Sequence, residues 1–164
     1  MALLEKLRAF LVARGAEYTH TEHPLAFTAR EVAAAEHLPA REIAKTVVLW
    51  GDNSFHIAVL PANRLVDFQE VRLALGLSHA RLATEQELAQ LFPDCELGAQ
   101  PPFGSLYNLP VYMDASLLSE PSIAFNGGTH RDVVHMRTPE FQKLAEPTVV
   151  AMAREAVLRH GHHA

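Results

Sequence analysis

One cysteine, three lysines and no long apolar run mark this chain of 164 residues, and each shortage closes off a class of protein. A lone Cys95 cannot form an internal disulfide, which fits a reducing compartment. No segment approaches the roughly 20 uninterrupted apolar residues of a membrane span. The opening Met1-Ala2-Leu3-Leu4-Glu5-Lys6 lacks the apolar stretch of a secretion signal, so a cytoplasmic location is expected. Positive charge is also short: the formal net charge is −5, which excludes coating of nucleic acid by bulk electrostatics and leaves only local contacts. What remains, 49% hydrophobic and 20% charged, is ordinary for one soluble domain spanning residues 1–164.

Apolar spacing and turn residues divide the chain. Leu3, Leu4, Leu7, Phe10 and Leu11 predict an amphipathic helix over 2–14, closed by Gly15. A short strand is expected over 17–21. Thr28 and Glu31 form a capping box that opens a second helix ending before Pro39. Two strand-like runs, 44–50 and 54–60, flank the turn Gly51-Asp52-Asn53-Ser54 and predict a hairpin. Helices over 67–75 and 84–91 follow, with a short strand at 80–82 between them. Further strands are expected over 110–114, 122–125 and 132–136, then a helix opened by Thr138-Pro139 and a terminal helix over 147–159. The order suggests a mixed sheet with surrounding helices, without the regular alternation of a doubly wound fold.

Three places could carry chemistry. Lys45 heads the apolar run Lys45-Thr46-Val47-Val48-Leu49-Trp50 in a chain that otherwise meets its need for cations with eleven arginines. A strand-end lysine can simply cover apolar neighbours with its stem while its ammonium reaches water. The loop Gly98-Ala99-Gln100-Pro101-Pro102-Phe103-Gly104 is stiffened by two prolines, and Gly127-Gly128-Thr129-His130 forms a second glycine loop between strands. Glycines let backbone N–H groups come close to a ligand, although a double glycine between strands also serves as a plain hairpin turn.

Taken in order, these segments resemble the YbaK/prolyl-tRNA-synthetase-associated domain family, over residues 17–145. The matching pieces are Ala44-Lys45-Thr46-Val47-Val48, Ala58-Val59-Leu60-Pro61, the loop 98–104, Asp114 after an apolar strand, and Gly127-Gly128-Thr129-His130. The resemblance implies an α+β (mixed α/β) fold: a six- or seven-stranded mixed sheet curled toward a barrel, surrounded by helices. It implies a trans-editing aminoacyl-tRNA deacylase that hydrolyses the ester of a mischarged tRNA, with tRNA for proline carrying a small non-cognate amino acid as the expected substrate. No cofactor is expected. The implied partners are the aminoacylated 3′ end of the tRNA and an aminoacyl-tRNA synthetase, the chain itself being a monomer or weak dimer. Lys45 aligns with the family's cleft lysine, Thr46 stands beside it, and Gly98, Ala99, Gln100, Pro101, Pro102, Phe103 and Gly104 form the substrate loop. Gly127, Gly128 and Thr129 align with the second loop. His130 falls where some relatives carry histidine and others a different polar residue.

Ester hydrolysis needs a donor for the charge that grows on the carbonyl oxygen, and a fixed ammonium suits that task. To act instead as a base at neutral pH, Lys45 would have to lose its proton well below the usual ~10.4, which demands burial or a neighbouring cation. A protonated lysine that positions the ester is therefore expected, with water activated by the substrate's ribose hydroxyl or by His130. Apolar residues near the lysine strand, and Phe103, are expected to set the pocket size. Two other chemistries are set aside. Cys95 lies between Asp94 and Glu96, which oppose thiolate formation. Neither His20-Thr21-Glu22-His23 nor the tail His160-Gly161-His162-His163 has the spacing of a zinc protease, so no metal site is expected. The alternative from another class is a module of the same fold that binds tRNA or a synthetase without hydrolysing anything.

Overall fold

A computed structural model describes residues 3–156. Helix α1 (Glu5–Ala13) is followed by β1 (Thr19–Glu22), α2 (Ala29–Glu36), β2 (Ala44–Gly51), β3 (Ser54–Pro61) and β4 (Arg64–Val66). The chain continues through α3 (Phe68–Leu75), β5 (Arg81–Leu82), α4 (Glu85–Leu91), β6 (Val111–Asp114), β7 (Ser122–Asn126), β8 (Asp132–Arg137) and α5 (Thr138–Ala145). Two short strands, β9 (Thr148–Val150) and β10 (Ala153–Glu155), complete it. Among the described residues, no helix is long and apolar enough to cross a membrane.

Local chemistry sets most boundaries. Thr28 accepts from the Glu31 N–H and Glu31 returns a bond to the Thr28 N–H, so the predicted capping box opens α2. Thr84 and Glu87 do the same for α4, and Asp67 caps α3 through the N–H groups of Gln69 and Glu70. Asp52 and Asn53 sit at φ of 49° and 68°, the left-handed pair that matches the twist of a two-residue hairpin and that Asp and Asn tolerate best after glycine.

β2 and β3 pair antiparallel over their full length, from Ala44↔Pro61 to Gly51↔Ser54. They form the centre of a five-stranded mixed sheet in the order β5-β2-β3-β6-β9, in which β6 runs parallel to both β3 and β9. A three-stranded antiparallel sheet, β1-β8-β7, meets it through a parallel bridge between Ile43 and Ala124. The mixed sheet thus curls through that bridge into the second sheet, without closing into a barrel. The main core lies between them: Leu7 and Leu11 of α1, Ile57 and Val59, Met113, Phe125 and Phe141 are fully buried. A second core on the outer face of the five-stranded sheet joins Leu49, Ala58, Val71 and Met152.

The terminal helix expected over 147–159 does not form within the described part: Thr148–Val150 and Ala153–Glu155 are strands, and 157–159 lie outside the described residues. Tertiary pairing overrides the local reading here. β9 extends the sheet beside β6, and β10 makes a two-stranded ribbon with β4. Asp114, itself buried, accepts the Met152 N–H at 2.9 Å and the Ser116 N–H at 3.1 Å, tying the C-terminal strands to the end of β6.

α1 starts without a side-chain cap. The Leu4 N–H instead donates to the Gly127 carbonyl at 3.0 Å, and Leu3 and Leu4 occupy the space that side chains at 127 and 128 would fill.

Two outcomes are expected. Asp114→Ala should cost about 1–3 kcal/mol by leaving the buried Met152 N–H unpaired, and should speed hydrogen exchange at that amide; unchanged exchange would refute the anchor. Gly128→Ala places a Cβ 2.6 Å from Leu4 Cβ at a φ of +100°, and should lower stability by about 2–4 kcal/mol in urea denaturation. Gly15→Ala, at φ +61° in open space, should cost only about 1 kcal/mol; equal losses would show that α1 does not dock on this loop.

Candidate active site

Successive residues of a strand face opposite ways, and β2 uses this to divide its side chains. Ala44 and Val48 enter the main core, so Thr46 shares that side. Lys45 and Val47 face outward with Leu49. There they floor a groove of about 340 Å³ completed by Leu65 and Val66 of β4, Phe68 of α3, Leu82 of β5 and Arg154 of β10. Lys45 is half-buried and makes no hydrogen bond or ion pair among the described residues. Burial, and then the neighbouring Arg30 cation, hold its pKa below the usual lysine value. Both conditions that would ease loss of its proton are therefore present.

The two glycine loops form one unit. Gly128 donates to the Ala99 carbonyl at 3.0 Å, and Glu96 donates to the Gly128 carbonyl at 2.8 Å. The His130 N–H donates to the Glu96 carboxylate at 2.7 Å, while its ring Nε2 meets the Leu97 carbonyl at 2.7 Å. A carbonyl only accepts, so Nε2 carries the proton. Nδ1 is buried, with no protein partner among the described residues. The N–H groups of Ala99, Gly127 and Gly128 all reach protein carbonyls, those of Glu96, Asp132 and Ala99. The glycines here admit the protein's own chain.

Ala99, Gln100, Pro101 and Pro102 are buried. Phe103 is fully buried, with its ring centroid 5.4 Å from Phe10 and 5.5 Å from both Phe125 and Phe141. It is a hub of the core, so the expectation that it sets the pocket size does not hold. A side chain at Gly104 would collide with the Leu109 carbonyl. Thr129 spends its hydroxyl proton on Asp132 at 2.5 Å and accepts from the N–H groups of Arg131 and Asp132. Gly98 alone in this loop pair keeps an exposed position, beside the His130 ring.

The groove and the loop unit are separate features connected by the start of α2. Phe27 stacks on the His130 ring at 4.9 Å, and the Ala26 N–H donates to the His130 carbonyl. Three residues on from Phe27, Arg30 acts on Lys45. Leu65, Phe68, Leu82 and Arg154 are absent from the sequence reading of the site. Nothing in their local sequence signals a shared groove; only the pairing of β4 with β10 and of β5 with β2 assembles it.

Cys95 is excluded as a nucleophile by its surroundings: burial pushes its thiol up to about 11, with Asp94 adding in the same direction. Among the described residues one group, His20, Glu22 and Asp132, brings three donor atoms of metal-ligand type within 4.8 Å of one another. Both oxygens of the buried Asp132 already accept, one from His20 at 2.6 Å and one from Thr129, so Asp132 braces the second glycine loop. The tail His160–His163 lies outside the described residues.

Comparison with known proteins agrees with this architecture. The model of the aminoacyl-tRNA editing domain family matches residues 23–144. A Multifunctional Ser/Thr-tRNA deacylase, ProXp-y of Escherichia coli K12, is 27% identical over 157 residues, covering 93% of each chain. Among solved structures, a candidate trans-editing enzyme for prolyl tRNA synthetase superposes with a TM-score of 0.82 at 26% identity, covering 92% of this chain and 96% of that one. A hypothetical protein of the same fold reaches a TM-score of 0.83 at 21% identity over 91% of this chain and 99% of that one. With its strands, its paired loops and more than two thirds of its length inside the matched region, the chain belongs to the aminoacyl-tRNA editing domain family.

Proposed function

We propose that this editing domain acts in trans on tRNA for proline that carries a small non-cognate amino acid, and that it hydrolyses the ester joining the two. The observation that carries the reading is the Lys45 ammonium, half-buried and, among the described residues, unpaired in a groove lined by no carboxylate. A relative named as a Ser/Thr-tRNA deacylase and a structural neighbour named for prolyl tRNA synthetase supply the direction of the substrate assignment.

In the reaction, water adds to the ester carbonyl and negative charge grows on its oxygen. The bond to the ribose oxygen then breaks, and that oxygen leaves with a proton. Lys45 supplies the positive charge that the intermediate requires. The buried His130 serves to clip the two loops, since its Nε2 and backbone N–H are both engaged and its Nδ1 is out of contact with solvent. The neighbouring ribose hydroxyl is therefore the group that activates water. A second pocket of this kind answers a limit of the synthetase, whose own site separates side chains differing by one methylene by only about 1–3 kcal/mol. An acidic chain gains little from long-range attraction to tRNA, so residence on a synthetase that delivers the tRNA is the protein partner this reading asks for.

The test is a deacylation panel of seryl-, threonyl-, alanyl- and cysteinyl-tRNA for proline. Wild type should release at least one amino acid well above the buffer rate, and Lys45→Ala should lose about a hundredfold or more in kcat. If wild type releases none, the protein is the binding-only module of the same fold; if the variant is as fast as wild type, Lys45 has no part in the chemistry. The pH profile separates the two roles of Lys45. A cation is lost as pH rises through its pKa, so after subtraction of spontaneous hydrolysis kcat/KM should fall on the alkaline side, earlier than an ordinary lysine would dictate because burial and Arg30 lower that pKa. A rate that instead rises through this range would identify Lys45 as a base.

A further inference from the structure

The groove floored by Lys45 holds a second cation, from a part of the chain beyond the family match at 23–144. Arg154 on β10 is the direct cross-strand partner of Leu65 on β4. Opposed residues of an antiparallel pair project from one face, and both accordingly line the groove with Lys45. The alternation of the strand turns Glu155 to the other side. Among the described residues the rest of the lining is apolar, so the groove combines two cations with no acid in a chain whose net charge is −5.

The chain leading into Arg154 is anchored at Met152, two residues before it: the Met152 carbonyl accepts the Asp67 N–H and the Met152 N–H donates to Asp114, each at 2.9 Å. The Arg154 guanidinium itself makes no hydrogen bond or ion pair among the described residues. A planar guanidinium matches two phosphate oxygens at once, whereas an ammonium acts as a point charge. The two cations are therefore suited to different anionic groups of one ligand.

We propose that Arg154 is a substrate-binding residue of the editing site, pairing with the phosphodiester next to the aminoacylated 3′-terminal nucleoside and leaving Lys45 to the ester. Val47, Leu65 and Phe68 then face the apolar side of that nucleoside, as single-stranded ends are held against apolar and aromatic side chains. The assignment rests on the editing reading for the identity of the ester, but the phosphate contact can be tested without hydrolysis.

A labelled, uncharged acceptor-stem minihelix with a single-stranded 3′ end is titrated with the full chain, Arg154→Gln and Arg154→Lys, by fluorescence anisotropy at several salt concentrations. Arg154→Gln should weaken binding about tenfold at low salt and flatten the slope of log affinity against log salt by about 0.7, the contribution of one single-strand phosphate. Arg154→Lys should recover the slope and part of the affinity. With mischarged tRNA, Arg154→Gln should raise KM by a similar factor and leave kcat within about twofold. Unchanged affinity and slope in Arg154→Gln, or a fall in kcat as deep as that of Lys45→Ala, would overturn the proposal. If wild type hydrolyses nothing while Arg154→Gln still weakens and flattens binding, the phosphate contact stands and the editing reading fails.

Discussion

The burial of one ring, Phe103, fixes the paired glycine loops on which the shape of this end of the fold depends. The loop from Gly98 to Phe103 has no strand or helix of its own, and a segment without regular hydrogen bonding keeps its shape only through anchors. Phe103 touches Phe10 of α1, Phe125 of β7 and Phe141 of α5, which themselves lie far apart in sequence. Each aromatic pair adds about 0.5–1.5 kcal/mol beyond the area it buries, and three such pairs converge on one side chain. With the ring fixed, Ala99 and Glu96 are presented to Gly128, and the second loop takes its position from the first.

The pleat of β2 is the complementary constraint. A strand with core on both sides is normally apolar throughout, and β2 is so except where it starts. Lys45 stands at the rim, where the outward face leaves the second core and opens into the groove between β4, β5 and β10. A one-residue slip of its pairing with β3 would put the ammonium into the main core beside Ala44's position and turn Val48 outward. The full-length register with β3, closed by the Asp52-Asn53 turn, guards against that slip. The position of the one cation that faces the proposed ester is thus fixed by a hairpin several residues away.

Elements whose cause is local are legible in the sequence. The capping boxes at Thr28 and Thr84, the Asp67 cap, the hairpin turn and the proline start of α5 all depend on residues within one turn of each other. Elements whose cause is remote in sequence are not. Thr148-Val149-Val150 reads as part of a helix only because its partner β6 lies more than thirty residues upstream, and the Asp114 carboxylate that receives the Met152 N–H is equally remote. Gly127 and Gly128 announce that something approaches the backbone closely without saying what; the visitors are Leu3 and Leu4. Phe103 announces a need for apolar surroundings, which a core satisfies as well as a ligand pocket does. Arg154 carried no signal at all, because its meaning depends on Leu65 being its cross-strand neighbour.

The same distinction between local and global governs charge. A net charge of −5 suggests a surface that repels nucleic acid, yet many of the carboxylates responsible are bound within the fold. Asp52 accepts from the N–H groups of Ser78 and His79, Glu31 from Phe27 and Thr28, Glu96 from His130, and Glu87, held down to about 2 chiefly by Arg81, also caps α4. These anions serve turns and helix starts, and none of them lines the groove. What a phosphate entering the groove meets is therefore Lys45 and Arg154 among apolar side chains, with Arg30 acting on Lys45, while these carboxylates are placed at turns and helix starts.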